Sequence, residues 1–398
     1  METAINNSQR VASIDIFRGI TILVMIFVND LAGVKGLPWW TYHIPPGEDG
    51  MTYVDVVFPA FLFIVGMAVP LAIKKRKAKG DTSLKLIYHT FIRALSLVAI
   101  GLLIMNGRDV DAAETGISYA AWNVLMFIGV ILLWNVYPRS AGRRQLLFNI
   151  LKWSGLLLLI ILLVIYRREI DGTSAWMNLG TWSILGLIGW AYLAVVLIYL
   201  LARGKFLWLA ISFVLMVALN VASRAGYVDF LYAIPNIIWP LGNGSLASIT
   251  MGGVLLSRLF LNGDVAISIR EKMLYSTVFT ILMLLAGWLL MPFGLAKIGA
   301  TPSWCLYSAA ICVIIFMALY WIVDIHKQTS WAVFMKPAGS NPLLTYILPD
   351  IYYASFGFYH FMGIAGEGWP GVVKSIIFSL FILGISALMT RWKIRLQL

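Results

Sequence analysis

An uncharged run early in the chain decides the fold. Residues 56–79 read VVFPAFLFIVGMAVPLAIKKRKAK, in which eighteen uncharged residues precede five cations. An α-helix rises about 1.5 Å per residue, so roughly 20 apolar residues cross the hydrocarbon core of a bilayer. Cytoplasmic loops of membrane proteins are rich in Lys and Arg. The run therefore predicts a membrane-spanning helix that ends on the cytoplasmic side.

The composition extends this interpretation to the whole chain. Of its 398 residues, 61% are hydrophobic and 12% are charged, whereas a soluble domain is about 25% charged. The mean hydropathy is +0.86. The sequence predicts an all-α, polytopic bundle in the lipid bilayer of an inner, or cytoplasmic, membrane. Residues 1–398 are taken as a single transmembrane domain, because no polar stretch is long enough to fold separately.

Twelve apolar stretches are candidates for membrane-spanning helices. Two of them are weaker, since 243–261 contains glycines and 340–355 contains prolines. We therefore expect ten to twelve transmembrane helices. The twelve stretches are 13–34, 52–73, 84–105, 118–137, 146–166, 179–202, 205–222, 243–261, 273–292, 304–324, 340–355 and 370–390.

The distribution of cations predicts the orientation. The net charge is +12, and the basic loops alternate with loops that contain Asp109, Glu114 and Asp229. By the positive-inside rule, both termini are cytoplasmic and the loop after the first helix lies outside. Because the basic clusters lie between apolar spans, binding to nucleic acid is not expected. The alternate loops and the tail carry Lys74–Lys79, Arg139, Arg143, Arg144, Arg203, Lys205, Arg258, Arg270, Lys272, Lys327, Lys336, Arg391, Lys393 and Arg395.

Metal and disulfide chemistry are not predicted. Cys305 and Cys312 share one apolar run, and seven residues of helix separate them by roughly 10 Å, too far for a disulfide. The histidines form no metal-ligand spacing with one another or with cysteine or carboxylate residues. No metal site is therefore expected.

A polar cluster is predicted on the outer side, where the first two helices meet. Asn29 ends the first span, His43 lies in the connecting loop and Asp55 begins the second span. A carboxylate beside a histidine orients the ring and stabilises its charged form, so His43 could act as a general base. Asn29 could donate to a developing oxyanion. The structural alternative is a helix cap at Asp55 and a histidine satisfied within its loop.

A second polar cluster is predicted on the cytoplasmic side. Asp15 and Arg18 are three residues apart and share a helix face; Asp324 ends a later span on the same side, and Asn341 begins the next. The functional interpretation is a binding site for a charged cytosolic donor. The structural alternative is an interfacial salt bridge with ordinary helix caps.

Several motifs with fixed spacing make the chain recognisable. It resembles the transmembrane acyltransferases related to heparan-α-glucosaminide N-acetyltransferase, as a bacterial homologue. The residues that carry the resemblance are RVASIDIFRG at 10–19, VN at 28–29, His43, GMTYVDVVFPAFLFIVG at 50–66, LYWIVD at 319–324 and GSNPL at 339–343.

The resemblance implies a membrane-embedded acetyltransferase. Acetyl-CoA would be the co-substrate on the cytosolic side, and an amino sugar or glycan, such as a terminal glucosamine, would accept the acetyl group outside. His43 would be the general base or a transient acetyl carrier, with Asn29 positioning it or the acetyl carbonyl. Related membrane enzymes also suggest a homodimer.

The loop after His43 departs from the pattern of that family. Twelve residues separate His43 from Asp55, where the family usually has ten, and no Trp lies between them. Pro45, Pro46 and Glu48 occupy the loop instead. The identity of the acceptor is therefore left open.

Two other classes of function fit the span count. A secondary transporter of an amino sugar or oligosaccharide is one, because transporters contain spans interrupted by Gly and Pro, as in residues 240–253. A non-catalytic membrane scaffold is the other. The joint presence of the His43 loop and the Asp15–Arg18 pair favours the enzyme.

Overall fold

The structure is a computed structural model that describes residues 11–180, 183–233, 242–261, 267–357 and 365–398. Helices make up most of these residues. In chain order they are α1 (Ala12–Leu31), α2 (Val57–Ala78), α3 (Ser83–Asn106), α4 (Ala112–Thr115), α5 (Tyr119–Trp134), α6 (Arg143–Ile165), α7 (Ile184–Leu201), α8 (Phe206–Arg224), α9 (Ser245–Leu261), α10 (Ile269–Leu289), α11 (Pro302–Leu319), α12 (Lys336–Ser340), α13 (Pro342–Phe356) and α14 (Gly368–Arg391).

The predicted polytopic helical bundle is confirmed. In the described residues, nine helices are long and apolar enough to cross a membrane, and two shorter apolar helices, Tyr119–Trp134 and Ser245–Phe260, accompany them. Counted together, these eleven apolar helices of the described residues fall within the predicted ten to twelve. The cytoplasmic placement of both termini remains a prediction.

The first two helices lie at the centre of the bundle. Of the 18 residues that make up the most apolar stretch of α1, 56% are buried inside the protein. The share is 61% for the span Tyr53–Ala78, which includes α2. The corresponding share is 17% in α6 and 22% in both α8 and α10. The helices that carry the sequence motifs are therefore surrounded by protein, while α6, α8 and α10 expose apolar faces that suit lipid.

A close backbone approach joins α2 to α9. A Cβ atom added to Gly66 would lie 1.8 Å from the carbonyl oxygen of Thr250, and one added to Gly253 would lie 2.0 Å from that of Phe63. Small residues at such crossings let membrane helices pack closely in the absence of a hydrophobic driving force. The two glycines are thus required by the packing of these helices.

Gly66→Ala is expected to destabilise the protein by about 1–3 kcal/mol, because the new methyl group forces α2 and α9 apart. Thermal unfolding in detergent measures the effect. Gly384→Ala in α14 is the matched control, since an added Cβ there meets nothing within 4 Å. Equal melting temperatures for the two variants would contradict the close packing at Gly66.

One short sheet departs from the all-α prediction. After α6, the strands β1 (Arg168–Ile170) and β2 (Thr173–Ala175) pair antiparallel. Asp171 and Gly172, with φ angles of 50° and 76°, form the two-residue turn between them. Positive φ at both positions matches a tight hairpin turn, for which Asp-Gly is a preferred sequence.

The weak stretch at 340–355 is divided in the structure. Asn341 separates α12 from α13 and has a non-helical backbone, with φ −135° and ψ 57°. The residue before a proline is disfavoured in the helical region, and Pro342 follows Asn341. The break frees the side chain of Asn341 to bond outside its own helix.

Candidate functional site

The loop after α1 is held at both of its sides. The Tyr42 hydroxyl donates to the carbonyl oxygen of Val34 at 2.6 Å. The Thr52 hydroxyl donates to the carbonyl oxygen of Tyr42 at 2.8 Å. Since Tyr42 precedes His43, these bonds fix the backbone that presents the imidazole between the ends of α1 and α2.

His43 and Asp55 form a hydrogen-bonded pair. Nδ1 of His43 lies 2.7 Å from Oδ1 of Asp55; the His43 side chain is 41% exposed and that of Asp55 is 1% exposed. A charged carboxylate accepts, so Nδ1 carries the proton and Nε2 keeps its lone pair. In the neutral ring, Nε2 is therefore the basic nitrogen.

Asp55 also caps a helix. Its Oδ2 accepts from the backbone N–H of Thr52 at 3.1 Å. This capping box starts the 3₁₀ turn Tyr53–Val56 that leads into α2. The functional and structural interpretations of Asp55 are thus compatible, because one oxygen caps the turn while the other orients His43.

Lys297, from the loop between α10 and α11, completes the cluster. Its Nζ lies 3.1 Å from Nε2 and 3.3 Å from Nδ1 of His43. Burial lowers the pKa of Lys297 below its ordinary value, and the charge of Asp55 offsets part of this effect. Lys297 was not predicted from the sequence. The available signal was its position, because external loops contain few lysines and the loop of Lys297 is predicted to be external.

The loop of Lys297 is bound to the loop of His43. The N–H of Leu295 donates to Oδ1 of Asp49 at 2.8 Å, and the N–H of Gly50 donates to the carbonyl oxygen of Leu295 at 2.7 Å. These two bonds hold together segments that are about 250 residues apart in sequence. They set the spacing between Lys297 and the imidazole.

Asn29 stands apart from the contacts of His43. Its side chain is exposed at the end of α1, and it makes no hydrogen bond within the residues that the structure describes. The role of Asn29 beside His43 therefore stays a prediction.

The next residue, Asp30, is part of a buried polar network. Its Oδ2 lies 3.0 Å from Nζ of Lys374, and both side chains are at most 6% exposed. The hydroxyls of Tyr353 and Ser375 donate to Asp30 at 2.7 and 2.6 Å. The network joins α1, α13 and α14. The sequence contained one signal for this network, a lysine within the 370–390 span. Charges inside membrane spans are costly, so such a lysine indicates a buried partner.

The end of the bundle at which α2 finishes with Lys74–Lys79 is called the basic end here. The N-terminus of α1 meets Asp324 at that end. The Asp324 carboxylate accepts from the backbone N–H groups of Ala12 and Ser13, each at 3.1 Å. Asp324 lies in a π-helical turn, Tyr320–Ile325, that continues α11. Such turns redirect side chains, and this one places Asp324 where it satisfies the first N–H groups of α1.

Arg18 and Asp15 form the predicted salt bridge one turn further along α1. The two side chains are 3.4 Å apart and half-buried. Arg18 also donates to the carbonyl oxygen of Gly339 in α12 at 3.0 Å. The structural alternative for this pair is therefore present, and a cation remains partly accessible at the basic end.

Asn341 anchors the C-terminal segment. Its side-chain N–H₂ donates to Oγ1 of Thr390 at 3.1 Å and to the carbonyl oxygen of Ile394 at 2.9 Å. Its side-chain oxygen accepts from the N–H of Leu396 at 3.1 Å. Asn341 is 1% exposed, so its amide serves the packing of α13 against α14.

An apolar cavity of about 590 Å³ lies along α1, beside the start of α2. Thr52 and Tyr53 line one part of it, and the α1 face from Val24 to Phe17 lines another. These α1 residues span roughly 10 Å along the helix axis. Tyr307 of α11 and Leu284 of α10 complete the walls. The cavity thus leads from beside Asp55 toward the residue that precedes Arg18.

Metal-binding clusters are not found among the described residues, which contain no group of three or more His, Cys, Asp and Glu side chains placed to hold an ion. Both cysteines are free and buried.

Together these features define a class: a polytopic helical membrane protein with a histidine–carboxylate pair whose chain neighbours line an apolar cavity. The chain belongs to the family described as "Domain of unknown function (DUF5009)", whose model matches residues 10–243.

Two curated proteins are related to part of the chain. Heparan-alpha-glucosaminide N-acetyltransferase of Mus musculus is 33% identical over 105 residues, which are 26% of this chain and 15% of the mouse protein. The protein of the same name from Homo sapiens is 34% identical over 97 residues, 24% of this chain and 14% of the human protein. The matches therefore span only a small part of these relatives. They confirm the relationship that the sequence motifs indicate.

Proposed function

We propose that the chain is a transmembrane acetyltransferase of the inner membrane. It moves an acetyl group from cytosolic acetyl-CoA to an extracytoplasmic amino sugar or glycan such as a terminal glucosamine. The observation that carries the proposal is the His43–Asp55 pair, next to Thr52 and Val56, which line the apolar cavity. The names of the mouse and human relatives support the reaction and the acceptor class.

His43 is the proposed general base. With Nδ1–H held by Asp55 at 2.7 Å, Nε2 can accept the proton of an acceptor amine or hydroxyl as that group attacks the thioester carbonyl. The new C–N or C–O bond forms, the C–S bond breaks, and the CoA thiolate takes the proton back from the imidazolium. Asp55 stabilises the imidazolium in between.

Lys297 is proposed to stabilise the oxyanion of the tetrahedral intermediate. Its ammonium lies 3.1 Å from Nε2, close to where the carbonyl oxygen becomes negative. The contact with Nε2 must break when the acceptor binds that nitrogen, and the flexible four-carbon stem of lysine permits this movement. Asn29 is the second proposed donor to the acetyl carbonyl.

The donor is proposed to enter from the basic end. Arg18 supplies a cation for a phosphate group there, and Asp15 orients Arg18. Asp324 and Asn341 shape the entry by fixing the start of α1 and the C-terminal segment. The pantetheine arm is proposed to occupy the apolar cavity between Phe17 and Thr52, which would bring the acetyl group toward His43.

The proposal is tested with purified protein, acetyl-CoA and glucosamine, by following free CoA and acetylated sugar. Release of CoA without an acceptor, limited to one equivalent, would indicate an acetyl-His43 intermediate. The proposal would be refuted if no amino sugar of a panel were acetylated and the protein also failed to bind acetyl-CoA. Counterflow of labelled sugar in proteoliposomes without CoA would favour the transporter.

The pH dependence of the rate is expected to depend on Lys297. Because its pKa lies below the ordinary lysine value, the ammonium loses its proton at a lower pH than an exposed lysine, and the rate declines there. Lys297→Arg keeps the charge to higher pH, so the decline should move upward in pH. Initial rates across an alkaline pH series measure it. Identical alkaline limbs in both proteins would exclude a role for the cation.

A further inference from the structure

A second cavity lies at the basic end, away from His43. Its volume is about 300 Å³. Four cations from two helices and one interhelical turn line it, namely Lys74, Lys77, Arg203 and Arg258. Ile73 and Leu200 form part of its apolar wall. Lys74 and Lys77 are in the last turns of α2, Arg203 follows α7, and Arg258 is in the last turn of α9. Among the described residues, no carboxylate lines this cavity.

Three of the four cations have little compensation from the described part of the protein. The side chains of Lys77, Arg203 and Arg258 form no ion pair or hydrogen bond within the described ranges. The nearby carboxylate of Asp81 is instead bound by Arg76 at 3.2 Å and by Lys85 at 2.6 Å. The cavity is therefore a concentrated positive site.

One of these cations is partly desolvated. Nε of Arg258 is buried and has no hydrogen-bond partner in the part of the chain that the structure describes. A buried donor without an acceptor costs free energy, and the cost is larger for a charged group. Positive-inside topology accounts for cations at this end, but it does not require them to converge on one concave cavity with a buried guanidinium N–H.

We propose that this cavity binds a phosphate group, and that the headgroup of an anionic lipid supplies it. Basic pockets between membrane helices suit lipid phosphates, and guanidinium groups match phosphate geometry. The apolar wall at Ile73 and Leu200 continues the contact toward the acyl chains. The cavity and His43 lie near opposite ends of α2, which is roughly 30 Å long, so the proposal is independent of the acetyltransferase function.

The test compares delipidated full-length protein with Lys77→Gln/Arg203→Gln. Both side chains are exposed, so the variant should fold. Binding of phosphatidylglycerol, of phosphatidylcholine and of adenosine 3′,5′-bisphosphate is measured by native mass spectrometry. Arg143→Gln/Arg144→Gln in α6 is the control, because it removes the same charge from exposed positions outside the cavity.

We expect phosphatidylglycerol to bind roughly tenfold or more weakly to the cavity variant, and the control to bind like the unmodified protein. Phosphatidylcholine should be affected less. If only the bisphosphate is weakened, the phosphate site stands but its ligand is a nucleotide and the lipid assignment is wrong. Equal losses in the cavity and control variants, or no binding of either anion, would overturn the phosphate site.

Discussion

His43→Ala is expected to lower the rate of acetyl transfer at least a hundredfold. General acid–base catalysis by a positioned side chain contributes typically about 10²–10⁴-fold, and the substitution removes the only proposed base. Initial rates of CoA release with glucosamine measure the change. Binding of acetyl-CoA should persist, because the proposed donor contacts lie along the cavity and at the basic end.

His89→Ala is the matched control for this variant. His89 lies in α3 and contacts the ring of Tyr88, so its removal should leave the rate unchanged. Thermal unfolding of the His43 variant is measured alongside its rate, because the buried Asp55 carboxylate loses one of its partners. Full activity of His43→Ala would contradict the role of His43 as the general base, although the protein could still be an acetyltransferase.

Lys374→Met is expected to destabilise the protein by about 3–5 kcal/mol. Removing one partner of a buried ion pair leaves an uncompensated charge, and Asp30 is almost fully buried beside Lys374. The hydroxyls of Tyr353 and Ser375 would still donate to the Asp30 carboxylate, but hydroxyls carry no positive charge. Denaturant or thermal unfolding in detergent gives the value.

The double variant Asp30→Asn/Lys374→Met distinguishes the ion pair from packing. Replacing both members of a buried pair is often close to neutral, so the double variant should recover most of the loss. Lys152→Met in α6 is the control, since this lysine is exposed. If the double variant lost the sum of the two single losses, the members would not be coupled.

Much of the fold was predictable from local sequence. The uncharged run at 56–73 and the basic cluster after it predicted α2 and its end, because the length and periodicity of an apolar stretch determine whether it spans a bilayer. Likewise, Asp55 and Thr52 lie three residues apart, so the cap at the start of the second span followed from spacing. The Asp-Gly hairpin after α6 was missed, because two three-residue strands lack a periodic signal.

The sequence alone determined the class of protein, the central helices and three of the proposed catalytic residues. Only the tertiary structure decided which partners these residues meet. Lys297 reaches His43 across 254 residues of chain, and the partners of Asp30 are more than 320 residues away. Spacing reports neighbours within one helix, whereas contacts between helices depend on how their surfaces pack. For that reason only the assembled bundle shows the cation beside the imidazole and the buried Asp30 network. The same holds for the cavity that Lys77 and Arg203 line.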